Sequence, residues 1–157
     1  MKVLACTDGS EHSKKALEKA ALIAGGCKAD DVAVIHVYEE KVDFAALPLF
    51  EVGATTRDTF SKEDVDRFRK IQEEHEKARE KVIADALAIF EKEGIKARAI
   101  LKQGHPAETI LETAAKEGFD IIVIGSRGLG GLKKLLLGSV SNAVIQEAKS
   151  GSVLMVK

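Results

Sequence analysis

Asp120-Ile121-Ile122-Val123-Ile124-Gly125-Ser126-Arg127-Gly128, then nine residues, then Gly138-Ser139, is the stretch that decides how this chain folds. The apolar run up to Ile124 reads as a strand buried on both faces, and Val140–Lys149 reads as a helix. A parallel strand, a glycine-rich loop and a helix N-terminus together make a place for phosphate. Backbone N–H groups point outward there, and the helix dipole favours negative charge. Glycine lets a ligand approach the backbone with no Cβ in the way.

The same alternation runs outward in both directions. Val3–Thr7 is a short apolar strand closed by Asp8-Gly9-Ser10, and Ser13–Ala24 has apolar residues at helical spacing, stopped by Gly25-Gly26. Val32–Tyr38 is a second strand. Glu39–Ser61, with Pro48 and Gly53 and no steady period, reads as a long loop. Lys62–Glu93 is a long amphipathic helix carried by Val65, Phe68, Ile71, Ala78, Val82, Ala86 and Ile89, with His75 on its apolar stripe and Gly94 at its end. Ile95–Leu101 is a third strand, Gly104-His105-Pro106 opens a helix over Ala107–Glu117, and Ser152–Val156 is a fifth strand. Strands alternating with helices imply right-handed crossovers and an open α/β sheet, five-stranded and parallel, of order 3-2-1-4-5 with helices on both faces. Ligands bind such sheets beyond the strand ends where the order reverses, here between strands one and four. Asp8 ends the first and Gly125 the second, so two motifs converge on one crevice.

Composition narrows the function classes. At 157 residues, the chain is expected to form one domain over 1–157. With 24 basic against 25 acidic residues, there is no overall field to attract nucleic acid or an anionic membrane, so any anion site is local. Cys6 and Cys27 make no disulfide framework and read as reduced thiols, as in a cytoplasm. The chain reaches Asp8 too soon for a signal-peptide apolar region, and no apolar stretch approaches bilayer-spanning length.

Each candidate has a plainer alternative beside it. The glycine loop is either a turn or a phosphate cradle. In the cradle Gly128 admits phosphate to the backbone, and Gly138 and Ser139 present helix-start amides. Arg127, Lys133 and Lys134 add positive charge there or are simply solvated. Asp8 is either an N-cap, a role open to Ser10 as well, or a carboxylate for ribose hydroxyls or a divalent ion. Thr7, Val34, Val37 and Tyr38 lie near strand ends where a base-pocket wall can form, with the Val37 backbone reading adenine edges. His12, His36, His75 and His105 show no metal-ligand spacing. No G-x-x-x-x-G-K-[ST] motif occurs, and Lys133 breaks a G-x-G-x-x-G counted from Gly128.

Gly125-x-x-Gly128-x(9)-Gly138-Ser139, with Thr7-Asp8-Gly9-Ser10, resembles the ATP-binding branch of the universal stress protein family. The resemblance extends to His36-Val37, to Gly104-x-Pro106 followed by Ile110 and Ala114, and to Asp120–Gly125. It implies a Rossmann-like fold with ribose contacts from Asp8 and Gly125 and adenine contacts near Val37. It implies phosphate contacts from Gly128, Gly138, Ser139 and the Val140 amide. Cys6 stands where some relatives place proline. It also implies a homodimer paired through the last strand, 152–157, whose apolar edge would otherwise be a liability. The reading that follows is an ATP-dependent switch or binding module in stress response with a protein partner, with Mg2+ or Mn2+ at Asp8 as an option. The alternatives are a slow ATPase or nucleotidyl transferase, for which no catalytic base stands out, and an AMP- or ADP-sensing protein.

Overall fold

A computed structural model of the protein describes residues 1–39, 62–129 and 137–157. Its elements alternate along the chain as β1 (Lys2–Cys6), α1 (Glu11–Gly26), β2 (Asp31–Tyr38), α2 (Lys62–Lys92), β3 (Arg98–Gln103), α3 (Pro106–Glu117), β4 (Ile121–Gly125), α4 (Ser139–Glu147) and β5 (Ser152–Val156). The strands form one parallel sheet in the expected order, β3-β2-β1-β4-β5. Beyond Glu39, the long loop read over 39–61 lies outside the described residues, as do Lys133 and Lys134.

Alternation along the strands splits the core into two layers. Val3, Ala5, Val32, Val34 and Val123 pack under α1 and α2. Leu4, Cys6, Ala33, Ile35, Ile122 and Ile124 pack under α3 and α4. Small residues Ala16, Ala20, Ala21 and Ala24 line the buried face of α1, which lets that helix lie close on the sheet. At the switch point, β1 is flanked by β2 on one side and β4 on the other.

Three details depart from the sequence reading, each for a local reason. β3 begins at Arg98 and not at Ile95. Ile95 is occupied in closing α2: Gly94 is left-handed (φ 69°), its N–H donates to Glu91 O, and the Ile95 N–H donates to Phe90 O at 2.9 Å. α1 runs through Gly25-Gly26 and turns at Lys28 (φ 49°), where Ala29 N–H donates to Ala24 O. Of the stripe on α2 only Ala86, toward the C-terminal end, is fully buried, with Phe90 near it, whereas Val65, Phe68, His75 and Ala78 are exposed. A 31-residue helix is about 46 Å long, more than the width of sheet it can cover.

Candidate functional site

A crevice of about 560 Å3 opens at the carboxyl ends of β1, β2 and β4, on the face covered by α3 and α4. That size suits a small organic ligand. Thr7, Asp8, Val37, Gly125, Arg127, Gly128, Gly138, Ser139 and Val140 all line it. Residues far apart in sequence are brought together because β1 and β4 are neighbours in the sheet. Val34 and Tyr38 are not part of it. Val34 belongs to the opposite core layer, and the Arg79 guanidinium stacks 4.0 Å from the Tyr38 ring centroid.

The turn after β1 is closed by its own side chains. Ser10 is the N-cap of α1, its Oγ accepting the Ser13 N–H at 3.2 Å. The Ser13 hydroxyl donates to Ser10 O at 2.8 Å. Its proton is thereby committed, so in the 3.2 Å contact between Thr7 Oγ1 and Ser13 Oγ it is Thr7 that donates. Thr7 Oγ1 also accepts the Gly9 N–H. His36 Nδ1 lies 2.9 Å from Thr7 O and must carry the proton, since a carbonyl only accepts. This half-buried histidine props the peptide that leads into Asp8. Sequence reasoning had seen it only as a strand-end residue.

Asp8 is thus not the cap of α1. Its Oδ1 accepts the Ser10 N–H at 3.0 Å, forming an Asx turn, and its Oδ2 accepts the Leu129 N–H at 3.0 Å. The carboxylate therefore ties the first turn to the glycine loop across the crevice. A side chain at Gly128 would strike Asp8 Oδ2, which explains the glycine by close approach. Gly125 answers a different demand: a Cβ there would lie 2.7–2.9 Å from the His12 and Ser13 backbone, where the first turn of α1 rests on β4.

The loop neck is pinned by the Gly138 N–H donating to Ser126 O at 2.8 Å, and by Ser141 Oγ donating to Ser126 O and Gly138 O at 3.1 and 3.0 Å. The Gly138 amide is therefore committed to the neck. Ser139 and Val140, the first residues of α4, line the crevice. Among the described residues no side chain caps α4, and its first turn holds no acidic residue. An uncapped helix start carries orphan donors and partial positive charge, and half-buried Arg127 beside it adds a full one.

Away from that pole, Ile35, Val37, Ile110, Ile124 and Val140 make an apolar slot. Burial pushes the Cys6 thiol, at the slot floor, far up, so it stays neutral. Glu39, one residue past the end of β2, also lines the crevice. The sequence reading passed over it, although the alternation Ile35, Val37, Glu39 carried the signal. Among the described residues, no cluster of His, Cys, Asp and Glu is arranged to hold a metal ion. None of their helices is long and apolar enough to cross a membrane.

Comparisons with known proteins point the same way. The family model of the universal stress protein family matches residues 1–157. A universal stress protein from the QAH/OAS sulfhydrylase 3′ region of Thermus aquaticus is 37% identical, over 99% of this chain and 97% of its own length. Among solved structures, MJ0577 of Methanocaldococcus jannaschii superposes with a TM-score of 0.73 at 29% identity, covering 99% of this chain and 94% of that one. A universal stress protein from Archaeoglobus fulgidus, solved in complex with dAMP, superposes with a TM-score of 0.60 at 21% identity, over 100% of this chain and 98% of that one.

Proposed function

This chain belongs to the universal stress protein family, and we propose that it binds ATP in the crevice as the input to a nucleotide-dependent switch or binding module. One observation carries the reading: among the described residues α4 starts without a side-chain cap, and its first residues line the crevice that Asp8 and the glycine loop border. Phosphates sit on the Ser139 and Val140 amides, beside Gly128 and Arg127, with Gly138 holding the neck. Ribose hydroxyls donate to Asp8 near Gly125 and Thr7, and the base enters the apolar slot beside the Val37 backbone. Mg2+ or Mn2+ can join the phosphates through Asp8. The dAMP complex of the Archaeoglobus relative supports an adenine nucleotide in this fold.

Binding is favoured over turnover because the crevice hydroxyls of Thr7, Ser13 and Ser141 are committed to each other, to the α1 cap and to the loop neck, and Ser139 is assigned to phosphate. The proposed unit is one cytoplasmic domain over 1–157. It pairs with a second copy through β5, which lies at the sheet edge with Val153, Leu154, Met155 and Val156 half-buried. A protein partner reads the nucleotide state.

The test is mass spectrometry of nucleotide released from freshly purified protein, followed by calorimetric titration of stripped protein with ATP, ADP and AMP. ATP is expected to be released and to bind tightest. Tighter AMP or ADP binding would turn the reading into a sensor of those nucleotides. No binding of any of the three well above micromolar concentration would sink it.

A further inference from the structure

The crevice has two chemically opposite ends, and one of them has no part in the site described so far. At the β4 end stand the open amides of α4 and Arg127, both positive. At the β2 end stands Glu39, a carboxylate. β2 and β4 are both neighbours of β1, so the two ends lie two strand spacings apart, about 10 Å. The apolar slot lies between them. A ligand seated in the crevice is therefore sorted along its length, its anionic part drawn to α4 and repelled from Glu39.

We propose that Glu39 determines which base the site accepts, selecting a purine that carries an amino group at C6 over one that carries an oxygen there. The inference rests on the ATP reading and gives it a base-edge determinant. The strand geometry sets it up. Ile35 and Val37 of β2 and Glu39, one residue beyond its end, line the crevice, while the Tyr38 ring stacks under Arg79 of α2 and His36 Nδ1 donates to Thr7 O. A base beside Ile35 and Val37 therefore has Glu39 as the next residue of this segment that lines the crevice. An ionised carboxylate only accepts hydrogen bonds. The 6-amino group of adenine donates and is matched. The 6-oxo group of hypoxanthine or guanine accepts, so at that position two oxygen lone pairs would face each other, and the one proton of that edge moves to N1, away from the 6-position. A hydrogen bond to a charged acceptor is strong enough to set a preference of about tenfold.

The experiment is calorimetric titration of the full chain with ATP and with ITP, which differs from ATP in its base by the 6-oxo group and the proton on N1. The same pair is titrated into Glu39→Gln and Glu39→Lys. Glu39 is exposed, so neither substitution disturbs the core. The native protein is expected to prefer ATP by about tenfold or more. Glu39→Gln, whose amide both donates and accepts, should erase most of that preference through weaker ATP binding. Glu39→Lys, which only donates, should reverse it toward ITP. A native chain that binds the two nucleotides equally overturns the proposal. So does an ATP preference that survives in both variants, and in either case the ATP reading is left standing. Failure of the native chain to bind ATP at all overturns both together.

Discussion

At the N-terminus of α1, Ser10 Oγ accepts the Ser13 N–H, Asp8 accepts the Ser10 N–H, and Glu11 adds negative charge to the first turn. At the N-terminus of α4, which opens on the same edge of the same sheet, no side chain among the described residues caps the helix and no acidic residue stands in the first turn. A helix start completed by its own side chains has little left to offer an anion, and one left open keeps both its donors and its field. The glycines divide in the same way. Gly125 lets the first turn of α1 rest on β4, while Gly128 lets the loop close on Asp8. One motif thus carries glycines of two kinds, one for packing the fold and one for shaping the crevice.

The largest effect expected from testing this contrast is on stability. Gly125→Ala places a methyl group against the His12 and Ser13 backbone, which no rotamer change can relieve. Thermal or urea unfolding should show a loss of about 3 kcal/mol, at the upper end for overpacking. An unchanged midpoint would mean that α1 does not bear on this strand end. Next comes a substitution that makes α4 resemble α1. Gly138 has extended backbone (φ −72°, ψ 154°), and a Cβ there would find ordinary contacts at 3.4–3.5 Å, so Gly138→Asp fits and supplies a cap. Asp is a strong N-cap residue. Its carboxylate would take the open amides and repel phosphate. ATP affinity should fall about a hundredfold, or 2.7 kcal/mol, with stability held or slightly raised. Gly138→Ala, which adds the Cβ without a cap, should lose far less. Equal losses in the two variants would break the contrast, because shape and not the open helix end would then be deciding.

The strand order and the crevice were legible in the sequence because they rest on periodicity. Buried parallel strands read as near-continuous apolar runs, and the switch point follows from strand order. Asp8 and Gly125, from two different strands, line one crevice for that reason, while Val34 and Tyr38, also named near a strand end, do not. What was not legible depends on which way single groups turn. The left-handed residue after α1 is Lys28 and not a glycine, because the helix runs two residues further, through Gly26, than composition signals. Ile95 closes α2 by a backbone bond that no residue type announces. Asp8 spans two segments about 120 positions apart, a contact that exists only once β1 and β4 pair. Tyr38 and Glu39 are neighbours of which only Glu39 lines the crevice, and an apolar count weighs only Tyr38.

The smallest effect is the sharpest control. Ser10→Ala removes the cap of α1 and leaves the Ser13 N–H without its side-chain acceptor. Loss of an N-cap costs about 1 kcal/mol, so the unfolding midpoint should drop modestly. Ser10 does not line the crevice, and Asp8 keeps its bond to the Ser10 backbone N–H whatever the side chain is. ATP affinity should therefore stay within about twofold, a difference well under 1 kcal/mol. If it falls tenfold instead, the α1 turn contributes to the ligand as much as the α4 start does. The division between a helix end that finishes the fold and one that waits for an anion would then have to be redrawn.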